Sequence, residues 1–256
     1  MKTRIQYILT VLLLLSLSRI AVSQDSASAT FNKGVTYFNA GNYQEALDLW
    51  SGLYESGSRS ASLNYNIGNA YFKLNKIPEA ILFYERAYLL KPADEDINYN
   101  LQIARTLIVD RFQEIPELFF VKWYNFISLF LSVNAWARIS MISFFLTLLA
   151  VSLYLYSPKY NLKVFGFWTA LIFLVLSLSS MAFSYRNRSL VYQSKMAIIS
   201  TPMVSGKSSP DNNGTDLFVL HDGTKVSVED KVGDWYEVRL SDGNKGWVPV
   251  NSLIKF

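Results

Sequence analysis

Two long stretches without a single charge constrain this chain more than anything else in it. Residues 139–158 are twenty uncharged residues between Arg138 and Lys159, and residues 164–185 are twenty-two more between Lys163 and Arg186. A bilayer core is crossed by about 20 apolar residues in a helix rising 1.5 Å each. Leu, Phe, Ile and Val dominate both runs, and Ser, Thr, Tyr and Trp supply the polar groups. Lys159-Tyr160-Asn161-Leu162-Lys163 joins them and is too short for a domain. The reading is a transmembrane helical hairpin, with spans at 139–158 and 164–185. The alternative is a buried helical pair in a soluble domain, but a soluble helix of that length rarely lacks charge on every face. A hairpin returns the chain to the side it left, so the flanking segments share one compartment. Neither span contains Asp, Glu, Lys, Arg or His, the groups that mark transport or proton paths. An anchor is therefore expected. Gly166, Ala170, Ser177, Ser179 and Ser180 offer small residues for close approach of partner helices.

The amino terminus carries a second apolar run. Lys2 and Arg4 precede Ile5–Leu17, and Ala21-Val22-Ser23 puts small residues ahead of Gln24. That is the layout of a secretory signal peptide over residues 1–23, with an uncleaved anchor as the alternative. Either one exports the segment after it. No Cys succeeds the run, so a lipoprotein signal is excluded.

Charge and composition narrow the function classes. The net charge is +4, but three of the bases lie in residues 1–23, and residues 24–117 hold eight bases against twelve acids. A nucleic-acid binder needs a clustered basic face, so nucleic acid is not an expected partner. The sequence has no Cys and one His, which excludes disulfides, thiol catalysis, Cys-ligated zinc and multi-His metal sites.

Between the apolar runs the chain repeats itself with a period of 34 residues. Gly34 aligns with Gly68, Tyr37 with Tyr71, Ala46 with Ala80 and Trp50 with Tyr84. A third start repeats Leu63-Asn64-Tyr65-Asn66-Ile67 as Ile97-Asn98-Tyr99-Asn100-Leu101. Gly and Ala suit close helix crossings, and the aromatics suit the space between helix pairs. Asn42 after Gly41, and Lys76-Ile77-Pro78, mark turns. Asp94-Glu95-Asp96 places acid where a helix dipole favours it. The pattern resembles the tetratricopeptide repeat, closing with Lys91-Pro92. It implies an all-α solenoid over 24–115, with copies at 27–60 and 61–94 and a capping helix at 95–111. Such repeats bind proteins through the groove of their first helices. In this register the groove residues are Phe31, Val35, Phe38, Tyr65, Asn69, Phe72, Tyr99 and Ile103, an apolar and aromatic set. Only Asn69 suits carboxylate capture. Self-packing is the alternative for each aromatic.

Ile115-Pro116 ends the helical region. Phe119, Trp123, Ile127, Phe130 and Leu131 then recur at helical spacing, with Trp136 ahead of the first span. Lys122 and Arg138 enclose fifteen uncharged residues, too few to span, so 116–138 reads as an interfacial segment with an aromatic belt. The alternative is a further span bent into the bilayer. Lys159 and Lys163 favour a cytoplasmic loop, whereas Arg138, Arg186 and Arg188 oppose it. The signal peptide decides the expectation: exported flanking domains and a cytoplasmic loop.

From Lys195 the texture becomes short alternating runs between turns. Lys225-Val226-Ser227-Val228 and Trp235-Tyr236-Glu237-Val238-Arg239 alternate, and Ser241-Asp242-Gly243-Asn244 is a hairpin turn. Ser205–Thr215, rich in Ser, Gly, Asn and Pro, reads as a loop. Leu220-His221-Asp222-Gly223, Gly233-Asp234-Trp235-Tyr236 and Gly246-Trp247-Val248-Pro249 resemble a bacterial SH3-like domain over 195–256. The resemblance implies a small all-β barrel with a groove at Trp235, Trp247 and Pro249. Gly223 and Ser252 stand where proline-motif binders usually stack Tyr. His221 has no nucleophile or second His beside it and reads as a turn or surface residue.

Together these parts describe a multidomain membrane protein. Their order resembles the BatE-type proteins of the Bacteroides aerotolerance operon. That resemblance implies a scaffold in an envelope complex of the inner membrane, with both flanking domains in the periplasm. The partners it implies are von Willebrand A-type Bat membrane proteins and a MoxR-type ATPase. Peptidoglycan, gripped by the SH3-like domain, is the alternative ligand. No nucleophile–base pair or ligand set stands out, so neither an enzyme nor a cofactor is expected.

Overall fold

The computed structural model describes residues 26–112, 115–116 and 118–256. The signal-peptide expectation for 1–23 lies outside the described residues. The chain divides into two compact units, Met1–Lys76 and Ile77–Phe256.

The first unit holds three helices: α1 (26–39), α2 (Tyr43–Glu55) and α3 (Ala61–Lys73). Gly41, at a φ of 84°, takes the left-handed turn that stops α1 and lets α2 fold back. Ala46, Leu47 and Trp50 form the buried stripe of α2. Trp50 decides how closely α1 approaches. A Cβ on Gly34 would lie 2.3 Å from its indole nitrogen, which itself donates to the Phe31 carbonyl at 3.1 Å. Ser60 caps α3 by accepting from the Leu63 amide, and Leu63, Ile67 and Ala70 form its buried face.

The second unit begins with α4 (Ile77–Leu90) and α5 (Glu95–Thr106). Pro78 lies in the first turn of α4, where a missing N–H costs nothing. Asp94 caps α5 through the Ile97 amide at 3.3 Å, and its hydrogen-bonded Lys91 holds its carboxyl below the usual range. Helix α5 is shorter than the expected 95–111. Residues 107–112 leave the helix because Asp110 and Phe112 bind the C-terminal sheet instead.

Next come α6 (Phe119–Leu129), α7 (Val133–Tyr156) and α8 (Tyr160–Tyr192). Helices α7 and α8 are long and apolar enough to cross a membrane. Both outrun the charge-free stretches. Helix α7 starts at Val133, six residues before the expected span, because Ser132 caps it through the Ala135 amide. Trp136 and Arg138 thus belong to α7, so the segment expected at 116–138 is divided between α6 and the start of α7. Only Ser157, Pro158 and Lys159 separate the two helices, and Tyr160 already opens α8. Helix α8 runs on past Tyr185 because Arg186 is satisfied where it stands. It donates to Asn125 Oδ1 at 2.5 Å and Ser128 Oγ at 2.8 Å on α6. Asn187 donates to the Ser128 carbonyl at 2.7 Å. This buried cluster pins α6 beside the point where the charge-free run ends. The outward stripe of α6 is Phe119, Trp123, Phe126 and Phe130, with exposures from 60% to 84%. Ile127 and Leu131, expected on that stripe, are half-buried.

Gly166 and Ser177 of α8 meet α7. A Cβ on Gly166 would lie 2.9 Å from the Ala150 carbonyl oxygen and the Tyr154 nitrogen. Ser177 and Ser180 are buried, while Ser179 bonds back to its own helix at Val175.

Seven antiparallel strands complete the chain: β1 (Met196–Ile199), β2 (Met203–Lys207), β3 (Asp216–His221), β4 (Lys225–Val232), β5 (Trp235–Arg239), β6 (Lys245–Pro249) and β7 (Leu253–Lys255). Their order is β3-β2-β6-β5-β4-β1-β7, with β3 and β7 at its two ends. One core collects Ala197, Ile199, Leu220, Val226, Val238, Leu240 and Val248. Gly243, at a φ of 91°, turns β5 into β6. Residues 205–207, expected as loop, are strand. Gly206 lacks a side chain because the Phe218 ring fills the space, 2.1 Å from where a Cβ would stand. The loop is 208–215 only.

Candidate functional site

The repeat-groove residues fall in both units, and each unit stands by itself. In the first, Phe31, Val35 and Phe38 lie half-buried on α1. The Phe31 and Phe38 rings sit 6.2 and 5.8 Å from the Trp50 ring, so both take part in α1–α2 packing. Tyr65, Asn69 and Phe72 recur at four and three residues along α3 and share a half-buried face. In the second unit, Tyr99 is 66% exposed on α5, and Ile103 is half-buried one turn on.

The three residues expected to form the SH3-like groove come together. Trp235 pairs with Pro249 across β5 and β6, and Glu237 pairs with Trp247. Residues two apart on a strand share a face. Trp235, Glu237, Trp247 and Pro249 therefore occupy the face opposite Val238 and Val248, which are fully buried in the core. All three groove residues are half-exposed.

A polar junction that the sequence did not announce lies within the second unit. Glu85 on α4 is fully buried. Its carboxylate accepts from Lys225 Nζ on β4 at 2.8 Å and from Arg105 on α5. Burial alone would push this carboxyl up, yet the charges and hydrogen bonds of Lys225 and Arg105 hold it below the usual glutamate value. Twenty-five residues further along, in the connector after α5, Asp110 docks on the same sheet. It accepts from the His221 amide at 2.7 Å and the Thr224 hydroxyl at 2.6 Å, and His221 Nδ1 lies 2.8 Å from its other oxygen. Burial again opposes its charge, and these donors again win. His221, expected in a turn, is the last residue of β3 and part of this lock. Arg86 adds a bond to the Lys255 carbonyl at 3.2 Å. Both carboxylates are saturated by donors, so their chemistry here is adhesion of helices to sheet.

Beside this junction lies a cavity of about 490 Å³. Its apolar lining comes from Ile81, Ile108, Phe112, Met196, Val226 and Leu240. Its charged lining comes from Arg105, Arg111, Lys225, Arg239 and Asp110. One signal for the junction was present in the sequence. Glu85 falls one helical turn after Ile81, on the apolar face of α4, where a charge requires a partner.

Comparison with known families agrees with the two modules. Residues 31–96 match the family model described as tetratricopeptide repeat, and residues 207–255 match the one described as bacterial SH3 domain. No curated protein matches the chain. Among solved structures, the crystal structure of MamA is similar at 14% identity and a TM-score of 0.30, over 64% of this chain and 78% of that one. The chain thus carries a tetratricopeptide-repeat segment and a bacterial SH3 domain, both interaction modules, on either side of two apolar helices.

Proposed function

We propose that this protein is a membrane-anchored scaffold of a cell-envelope complex, gathering partner proteins through its repeats and its SH3 domain. The observation that carries the reading is the combination of two interaction modules with an apolar helical hairpin. A hairpin keeps the segments before α7 and after α8 in one compartment. The resemblance to the BatE-type aerotolerance proteins supports placing that compartment in the periplasm, at the inner membrane. It also supports von Willebrand A-type membrane proteins as partners in a stress or oxygen-tolerance role. The repeat contacts would be Phe31, Val35, Phe38, Tyr65, Asn69, Phe72, Tyr99 and Ile103.

A second reading rests on the shared outer face of Trp235, Trp247 and Pro249. In it the SH3 domain grips peptidoglycan and the repeats contribute less. Affinity purification from membranes, with quantification of von Willebrand A-type proteins, separates the two. The scaffold reading expects Tyr65→Ala with Phe72→Ala to remove those partners. Full recovery of partners, together with loss of sacculus binding on Trp235→Ala, would replace it by the second.

A further inference from the structure

The cavity beside Glu85 has an unusual lining for a gap between packed elements. Four cations face it from three directions: Arg105 from α5, Arg111 from the connector, Lys225 and Arg239 from the sheet. Among the described residues one acid lines it, Asp110, and three donors already occupy that carboxylate. Glu85 neutralises one charge of the Arg105–Lys225 pair and holds both side chains in place. Arg239 is steadied through its Nε by Glu229 at 3.1 Å, which leaves its terminal nitrogens available. Arg111 is exposed and has no ion pair among the described residues. Among the described residues the excess charge of the wall is positive.

The floor is apolar, and this decides the class of ligand. A bare phosphate would satisfy the arginines but leave the accessible apolar lining, Ile108, Phe112 and Met196, wet. An apolar body without charge would strand the guanidinium groups. The volume falls within the range of about 300–1,000 Å³ typical of ligand sites. Ser227 and Ser241 add hydroxyl groups suited to main-chain amides. A peptide that alternates carboxylate and aliphatic side chains meets all three requirements.

We propose that this cavity binds an acidic segment of a partner polypeptide, its carboxylate taken by Arg111 and Arg239 and its aliphatic neighbour by Ile108 and Met196. The choice of a polypeptide rests on the scaffold reading; the anionic and apolar character of the ligand does not. The probe is a labelled, doubly capped Leu-Glu-Leu-Glu-Leu peptide, titrated into the full chain in lipid nanodiscs with empty discs as the blank. Arg111→Glu should weaken binding at least tenfold. So should exchange of both peptide Glu residues for Gln, and affinity should fall as salt rises. Arg111 is exposed, so this variant should fold normally, and Arg111→Gln separates loss of attraction from added repulsion. Equal binding of the Gln peptide, or unchanged binding to both Arg111 variants, would overturn the site. Displacement by octanoate as effective as by unlabelled peptide would overturn the peptide assignment. The scaffold reading fails on a different result, partner recovery after substitution of Tyr65 and Phe72, which do not line this cavity.

Discussion

The α7–α8 hairpin and the junction of α4 and α5 with the sheet both bury polar groups between packed elements, by opposite means. In the hairpin the buried polar groups are hydroxyls. Ser140 Oγ donates to the Ser177 carbonyl at 2.9 Å, and Ser177 Oγ donates to the Ser140 carbonyl at 3.0 Å. Thr147 turns its hydroxyl back to the Ser143 carbonyl. At the junction the buried groups are carboxylates, Glu85 and Asp110, met by cations and a histidine. The difference follows from the surroundings. In the proposed membrane anchor a charge would have no water to fall back on, and the two apolar helices meet instead by close backbone approach and neutral hydrogen bonds. At the junction Arg105 and Lys225 remain 40% and 35% exposed, so their guanidinium and ammonium groups keep part of their hydration while reaching the buried acid.

The strongest test of this contrast removes the acid at the centre of the junction. Glu85→Ala leaves two cations without a counter-charge. Breaking a fully buried pair costs roughly 3–5 kcal/mol, and here both cations can rehydrate, so about 2–3 kcal/mol is expected. Amide exchange in α4 and β4 should accelerate roughly thirtyfold to a hundredfold, since each 1.4 kcal/mol is about a factor of ten. Unchanged exchange would mean that apolar packing alone holds the junction. The pH dependence has a definite sign. The folded-state carboxyls of Glu85 and Asp110 lie below their usual values, so their contribution is complete above the ordinary carboxylate range. It is lost as pH falls below about 4 and through the folded values. Wild-type junction exchange should therefore quicken in acid, and the dependence should flatten in Glu85→Ala with Asp110→Asn.

The hairpin should be more sensitive to one methyl group than to loss of any hydroxyl. Gly166→Ala places a Cβ against backbone atoms of α7, which cannot rotate away. Overpacking of this kind costs about 1–3 kcal/mol. Spin labels on α7 and α8 should report a wider separation near Ala150, with earlier unfolding in detergent. An unchanged distance would show that the crossing has slack and that Gly166 is not its determinant.

Legibility in the sequence tracked the distance over which the determining contact acts. The 34-residue spacing singled out Gly34 and Trp50, which recur as Gly68 and Tyr84, but not their contact with each other within one helix pair. Charge-free runs located the hairpin but misplaced its ends. They report where charge is absent, whereas Ser132 and the Asn125–Arg186 bond determine where the helices begin and run on. Strand β2 was hidden because Ser205-Gly206 reads as loop until the Phe218 ring above Gly206 is seen. Trp235, Trp247 and Pro249, named from the SH3 resemblance, share one face because β5 and β6 alternate in register. The junction was not. Lys225 lies 140 residues from Glu85, and His221 lies 111 residues from Asp110, so no local pattern joins them.

Asp110 should matter less than Glu85, because it is nearer to solvent and its partners are mostly neutral donors. Asp110→Asn keeps one acceptor and discards the charge. A cost of about 1 kcal/mol is expected, the scale of one net hydrogen bond. Exchange at the Gly223 and Thr224 amides should rise roughly fivefold while α4 remains protected. Equal acceleration in α4 would show that the two carboxylates open as one unit, and the junction would then be a single lock rather than two.

The smallest effect belongs to the reciprocal serine pair, and it sets the scale of the contrast. Ser140→Ala and Ser177→Ala each delete one hydrogen bond between helices, and the double variant deletes both. Side-chain hydrogen bonds within membranes average about 0.6 kcal/mol in such cycles, because the separated helices find other partners. The coupling between Ser140 and Ser177, measured by unfolding in detergent, should be of that order. The coupling between Glu85 and Arg105, measured by amide exchange, should exceed about 1 kcal/mol. Equal couplings would break the comparison, because charge would then gain nothing over hydroxyls at a site water can reach. A serine coupling above about 2 kcal/mol would break it from the other side, making the neutral pair, rather than Gly166 and close packing, the principal link between α7 and α8.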